Sequence, residues 1–198
     1  MRLVLTVTIP FLCVGLLRAA DDTQTDKNAP TARNYVHHTF SVDALALSGT
    51  GALIDQGRNA PHEWGQGWEG FGKRIASGLG THIVKGTIQF GVASIRHEEL
   101  GYRPSGEHGF GPRLKYALLS SVITRKTTTG EKTVALGRIS GDVGGGFISR
   151  LWQPVRLHTV ASGVATSGLL LGADAGIHVV REFWPEIRHP HKHAASTD

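Results

Sequence analysis

The sequence predicts a mainly α protein, a compact glycine-rich helical bundle, from three observations. Apolar residues recur at spacings of four or five between Ile75 and Val92, with basic residues between them, which is typical of an amphipathic helix. Two more apolar segments follow, at 134–152 and 155–184. Glycine accounts for 26 of the 198 residues, about twice its ordinary share, and such an excess favours closely packed helices.

The N-terminus has the pattern of a secretory signal peptide over residues 1–20. Arg2 precedes an apolar stretch of about 15 residues, and small residues follow it. The stretch is shorter than the roughly 20 residues of a membrane span, although an uncleaved anchor stays open as the alternative. Cleavage after Ala19 or Ala20 would place the mature chain in the periplasm or at the outer membrane. Cys13, the only cysteine, would leave with the signal, so the mature chain has no disulfide.

The rest of the chain divides into a linker, one domain and a tail. Residues 21–34 contain almost nothing that could be buried, which predicts a disordered linker. Residues 35–188 suit a single helical domain, and residues 189–198 form a flexible His-rich tail. Loss of the two arginines of the signal lowers the formal net charge from +5 to +3. Because the basic residues are not clustered, a nucleic-acid partner is not expected.

Within the domain, the local signals place the elements in order. A helix is expected to begin at Val42, after Ser41 as its N-cap, and a Gly-rich loop follows over 55–70. The amphipathic helix runs over 68–95. A polar, threonine-rich segment near 122–135 predicts a short β-hairpin.

Small residues spaced by four form three stripes, each on one side of a predicted helix. Glycine is costly inside a helix, so the stripes favour helices that pack closely, either on a membrane or within a soluble bundle. The stripes are Gly72, Ala76 and Gly80; Gly137, Gly141 and Gly145; and Gly168, Gly172 and Gly176. Asp174 interrupts the longest uncharged run, 159–173, short of a spanning length. The sequence therefore predicts a bundle resting on a membrane rather than a polytopic one.

An outer-membrane β-barrel is the alternative fold. The glycine excess, the export signal and the Thr-rich hairpin all suit it, and eight strands of about ten residues would fit the length. Against it, residues 164–173 show no period of two, and the chain does not end on an aromatic strand.

One constellation of side chains could carry chemistry. Asp174, His178 and Glu182 are spaced by four, so they share one arc of a helix, roughly opposite Gly172 and Gly176. An imidazole between two carboxylates could bind a divalent metal or act as a general base. A solvated polar face with i,i+4 pairs is the ordinary alternative. No catalytic motif and no cofactor site is found elsewhere.

Four short stretches carry a resemblance to a known family. Residues 63–77 (EWGQGWEGFGKRIAS) and 182–187 (EFWPEI) resemble two stretches of an uncharacterised family of exported, glycine-rich proteins from environmental bacteria. Residues 109–113 and 147–152 look like further landmarks of that family. The resemblance covers about residues 60–188 and implies an export signal, with no assigned activity and no catalytic residue. Glu186 stands where an Asp is expected.

Together these features predict a non-enzymatic structural or interaction protein of the cell envelope. Its expected partners are the envelope membrane or another envelope protein, reached through closely packed helices, or a second copy of itself. The less favoured alternative is a metal-dependent enzyme that uses Asp174, His178 and Glu182.

Overall fold

The computed structural model describes residues 28–188, without the side chains of residues 38, 42–45, 47, 187 and 188. Six α-helices lie in this range: α1 (Ala32–Thr39), α2 (Val42–Gly57), α3 (Trp68–Arg96), α4 (Phe110–Leu119), α5 (Leu136–Ile148) and α6 (Val160–Arg188). Short 3-10 helices lie at His62–Trp64, Ser149–Trp152 and Val155–Leu157. An antiparallel hairpin pairs β1 (Ile123–Arg125) with β2 (Lys132–Val134). The predicted mainly α fold with its hairpin is confirmed. The barrel alternative is wrong, because the described residues contain only this two-stranded sheet.

Polar side chains and backbone conformation set the helix boundaries. The Thr31 hydroxyl accepts a hydrogen bond from the backbone N–H of Asn34 at 3.2 Å and thereby caps α1. Thr159 caps α6 in the same way, because it accepts from the N–H of Ser162 at 3.1 Å. The long helix α3 ends where His97 adopts a left-handed conformation (φ 55°).

The domain begins earlier than the sequence analysis expected. α1 starts at Ala32, inside the predicted linker over 21–34, and the carbonyl of Asn28 accepts the backbone N–H of Leu100 at 2.8 Å. This tertiary hydrogen bond gives order to a segment whose polar composition suggested none. The predicted signal over 1–20, the linker up to residue 27 and the tail over 189–198 lie outside the described residues.

The helices pack as a layered bundle. α3 packs against α1, α2 and α5, and α6 packs against α5 and α4. The order across the bundle is therefore α2, α3, α5, α6. The hairpin and the loop over 97–109 lie beyond the C-terminal end of α3.

The glycine stripe of α5 lies directly against α3. A Cβ added at Gly141 would stand 2.8 Å from the carbonyl oxygen of Lys85 and 3.0 Å from Cβ of Gln89. At Gly137 it would stand 3.0 Å from the carbonyl oxygen of Gln89, and at Gly145 3.1 Å from Cβ of Lys85. Any larger side chain at these positions would push the two helices apart.

The stripe predicted on α6 faces away from the bundle. A Cβ added at Gly168, Gly172 or Gly176 would have no described neighbour within 4 Å. The α6 glycine that packs closely is Gly163, where an added Cβ would meet the Phe147 ring at 2.8 Å. The opposite face of α6 turns inward because its polar side chains find partners there.

The stripe predicted on α3 contributes little to packing. Gly72 and Ala76 are exposed, and a Cβ added at Gly72 would have no described neighbour within 4 Å. Only at Gly80 would a Cβ reach another element, the Trp152 ring at 3.4 Å. The buried face of α3 instead carries polar groups such as Arg74.

The distribution of apolar and charged side chains differs from that of a typical soluble domain, because many charged groups are buried and many large apolar groups are exposed. Among the described side chains, the fully buried hydrophobic ones are four alanines: Ala52, Ala93, Ala117 and Ala135. The buried ionisable residues are Arg74, Lys85, Glu98, Glu99, Arg138, Asp142, Arg150, His178 and Glu182. Many large apolar side chains are exposed; on α6 alone, Val164 is 58% and Leu169 74% exposed. Soluble domains rarely bury so many charges while exposing so many large apolar groups.

One helix in the described range is long and apolar enough to cross a membrane by length and composition, over Val160–Glu186 of α6. Only 6% of its apolar window is buried, so most of that window lies on the surface of the described bundle. Asp174 was expected to interrupt the uncharged run over 159–173 short of a spanning length. The helix instead continues through it, because the Asp174 carboxylate turns inward.

Candidate functional site

The centre of the bundle contains an ionic cluster, defined here as Lys85, Arg138, Asp142 and Asp174. Lys85 Nζ lies 2.7 Å from Asp142 Oδ1 and 2.6 Å from Asp174 Oδ1. Arg138 Nε lies 3.6 Å from Asp174 Oδ2. Three helices meet in this cluster, since Lys85 comes from α3, Arg138 and Asp142 from α5, and Asp174 from α6. Its two cations and two carboxylates neutralise each other where water has little access.

Asp142 is the least satisfied member of the ionic cluster. Neither of its carboxylate oxygens accepts a well-directed hydrogen bond from the described residues, although Oδ1 is ion-paired with Lys85. Burial raises the pKa of Asp142 to about 6, and this effect outweighs the attraction of Lys85. Asp142 is therefore the carboxylate in the cluster that depends most on a neighbouring cation.

A second polar centre joins α6 to α4 and to the loop over 97–109. Glu182, only 3% exposed, accepts hydrogen bonds from the Tyr102 hydroxyl at 2.6 Å, the Ser105 backbone N–H at 3.0 Å and Arg113 Nε at 3.1 Å. Arg113 also pairs with Glu186. Burial alone would raise the pKa of Glu182, but the hydrogen bonds from Ser105, Tyr102 and Arg113 lower it to about 2.

His178 lies between the two centres as a buried imidazole. Its ring stacks on Tyr102 with centroids 4.7 Å apart and an interplanar angle of 25°. Burial, together with the positive charge of Arg138, lowers the pKa of His178 to about 4. Nδ1 has no hydrogen-bond partner among the described residues. The imidazole is therefore neutral over the physiological pH range.

The structure separates the three residues of the predicted metal site. Asp174, His178 and Glu182 do share the inward face of α6, but Asp174 binds Lys85, His178 stacks on Tyr102 and Glu182 binds the donors described above. Residues 28–188 contain no group of three or more His, Cys, Asp and Glu side chains that could hold a metal ion. The arc is neither the predicted metal site nor a solvated face; it is the polar side of a helix interface.

Glu98 and Glu99, which follow His97, support the structure at the end of α3. Glu98 is 2% exposed, and its Oε2 accepts the backbone N–H of Gly137 at 2.8 Å at the start of α5. A carboxylate at a helix N-terminus is stabilised by the free N–H groups there. Glu99 binds Arg103. Both side chains therefore hold elements together.

Sequence reasoning missed Lys85, Arg138, Asp142 and Arg113. A signal for two of them was present. Arg138 and Asp142 each directly follow a glycine of the packing stripe, and residues 136–148 contain no other charge, so their spacing placed them beside the helix interface. No local pattern indicates that Lys85 is their partner, because α3 carries other basic residues.

The fold and its interior define a class, a helical bundle with ionic contacts inside and large apolar side chains outside. Comparison of the chain with protein-family models, with curated proteins and with solved structures finds no match. The resemblance of residues 60–188 to exported glycine-rich proteins therefore stays a prediction.

Glu182 gives the domain a specific acid sensitivity. Its folded pKa of about 2 is below the usual 4.5, so its stabilisation is present above pH 4.5 and is lost as the pH falls towards 2. Glu182→Gln is expected to lower the free energy of unfolding at pH 7 by about 2–3 kcal/mol, with a smaller deficit at pH ~2.5. Urea unfolding of both proteins across this pH range measures the difference.

Glu186→Gln is the matched control, because Glu186 pairs with the same Arg113 but its side chain is 46% exposed. An exposed pair contributes about 1 kcal/mol or less. A Glu182→Gln deficit that does not depend on pH, or that is no larger than that of Glu186→Gln, would contradict the assigned role of Glu182.

Proposed function

We propose that this protein is exported to the cell envelope and serves there as a non-enzymatic structural or interaction protein whose helical bundle rests on a membrane. The observation that carries the proposal is the inverted burial, with charged groups inside and large apolar side chains outside. A bundle in water is stabilised chiefly by burying large apolar side chains. Here those side chains stay on the surface, where lipid acyl chains would cover them.

Two properties of the interior suit this environment. Ionisable groups next to lipid face the inside of a bundle and pair with one another, as the ionic cluster does. Helices that pack within a membrane associate through small residues, as α3 and α5 do at Gly137 and Gly141. Both properties join helices through groups other than large apolar side chains.

Export is supported by the pattern of residues 1–20 and by the family resemblance. The expected location is the periplasmic side of an envelope membrane or the outer membrane. The preferred partner is a membrane. Another envelope protein or a second copy of this chain is the alternative, and either would cover the same apolar surface. No observation favours the enzyme alternative, because Asp174 and Glu182 are both engaged by basic side chains.

Flotation with phosphatidylcholine vesicles tests the role of the α6 surface. Val164→Ser with Leu169→Ser is expected to reduce partitioning about tenfold or more, because two exposed aliphatic side chains no longer enter the lipid. The matched control is Leu53→Ser with Ile54→Ser on α2, where Leu53 is 62% exposed. α2 lies at the far side of the bundle from α6, so this control should partition like the wild type.

Cell fractionation completes the test. The mature wild-type protein is expected in the envelope membrane fraction and in floated vesicles. Recovery in the soluble fraction, with no flotation, would contradict membrane association. Equal loss of flotation in both double variants would mean that α6 is not the contacting surface.

A further inference from the structure

A cleft beside the hairpin has the size of a ligand site. Its volume is about 420 Å³, and a smaller cavity of about 90 Å³ adjoins it. The two share lining residues from three segments: Glu99, Arg103, Tyr116, Arg125 and Lys132. Small-molecule sites in proteins are typically clefts of about 300–1,000 Å³. The larger cleft lies at the C-terminal end of α3, and the smaller cavity extends from it to Arg138 of the ionic cluster.

The lining of the larger cleft is predominantly basic. Its charged residues are the basic Arg103, Arg125, Lys126 and Lys132 and the acidic Glu99 and Glu107. Arg103 and Glu99 neutralise each other, with Nε–Oε2 and Nη2–Oε1 distances of 2.8 Å. Three cations therefore remain in the lining against the single carboxylate of Glu107.

None of these three cations forms an ion pair with a described residue. Arg125 on β1 lies directly opposite Lys132 on β2, and Lys126 follows Arg125. Like charges opposite each other in an antiparallel pair are destabilising. The ammonium groups of Lys126 and Lys132 make no hydrogen bond or ion pair with residues 28–188. An anion bound between them would relieve the repulsion of the hairpin pair.

Apolar side chains border the basic lining. Leu119 and Ile123 line the smaller cavity and are 43% and 38% exposed. Tyr116 lines both spaces. Basic groups next to exposed aliphatic groups match a phospholipid, whose anionic headgroup is joined to acyl chains.

We infer that this cleft binds the phosphate of an anionic phospholipid headgroup through Arg125, Lys126 and Lys132. Lysine and arginine are the side chains that proteins use for phosphate, and their charge-assisted hydrogen bonds are the stronger kind. The inference rests on the proposed membrane association and specifies which class of lipid the protein prefers. A free phosphate ion would bind through the same chemistry, and the experiment below distinguishes it from a lipid headgroup.

The test compares flotation with two kinds of vesicle, phosphatidylcholine alone and phosphatidylcholine mixed with phosphatidylglycerol. The wild type is expected to prefer the anionic vesicles. Lys126→Ala with Lys132→Ala should reduce that preference by about fivefold per lysine. The matched control, Arg58→Ala with Lys73→Ala, removes the same charge near the other end of α3 and should keep the preference. Circular dichroism checks that both variants fold.

Each outcome separates the two proposals. Binding to both kinds of vesicle without an anionic preference, or a preference unchanged by the cleft variant, would overturn the headgroup site and leave membrane association standing. Binding to neither kind would refute both. In a further experiment, calorimetry at fixed ionic strength measures the binding of inorganic phosphate to the protein. Phosphate binding that is lost in the cleft variant, without any preference for anionic vesicles, would identify a free phosphate and refute the lipid.

Discussion

Replacement of Lys85 by methionine is expected to lower the free energy of unfolding by about 3–5 kcal/mol. Lys85 Nζ is the cation between Asp142 and Asp174, at 2.7 and 2.6 Å from their Oδ1 atoms. Its removal leaves two buried carboxylates with only Arg138 to compensate them, and an uncompensated buried charge is strongly destabilising. Methionine keeps the unbranched shape of the side chain and is only one atom shorter, so the loss reports mainly the charge. Denaturant unfolding followed by circular dichroism measures it.

The pH dependence and a control identify the cause. Without Lys85 the pKa values of the two carboxylates rise further, so the deficit should shrink at acidic pH, where they become neutral. Lys73→Met is the control, because Lys73 pairs with Glu69 at 2.6 Å on the surface of the same helix; it should cost less than about 0.5 kcal/mol. Equal losses for the two variants would show that the ionic cluster contributes no more than an exposed pair.

Gly141→Val is expected to lower the free energy of unfolding by about 3 kcal/mol or more. Its Cβ alone would stand 2.8 Å from the carbonyl oxygen of Lys85, and valine adds two methyl groups to this crowded contact. A backbone oxygen cannot move aside as a flexible side chain can, so α3 and α5 would have to separate. Separation would also stretch the Lys85–Asp142 contact between the same helices. The same unfolding measurement detects this loss.

Gly172→Val is the matched variant, in a helix but facing outward with no described neighbour within 4 Å. Valine is a better helix former than glycine, so this change should be neutral or stabilising by a few tenths of a kcal/mol. If both valine variants lose the same stability, the close approach of α3 and α5 is not what Gly141 provides.

The local elements of this fold are readable from the sequence. The spacing of apolar residues from Ile75 to Val92 predicts α3, and the threonine-rich segment near 122–135 predicts the hairpin. Both depend on residues close together in the chain, where periodicity and turn chemistry act directly. The start of α1 at Ala32 was missed because its order depends on the contact between Asn28 and Leu100, which no local pattern shows.

The candidate site is readable only in part. The spacing of Asp174, His178 and Glu182 puts them on one arc of a helix, and the structure does so. The spacing suggested a metal site because it relates only residues that are close together in the chain. Their actual partners, Lys85 for Asp174 and Tyr102 for Glu182, are 89 and 80 residues away along the chain. Spacing along one helix cannot indicate which distant cation neutralises a carboxylate.

The sequence by itself determined that this chain is a glycine-rich bundle with small-residue stripes and a polar arc on its last helix. The tertiary structure alone decided which of these faces turn inward. On α5 the glycines and the charges lie inside together, whereas on α6 Gly172 lies outside and Asp174 inside. The physical reason is complementarity. A charged face can be buried only where opposite charges from other helices meet it, and a glycine face is buried only where another backbone approaches.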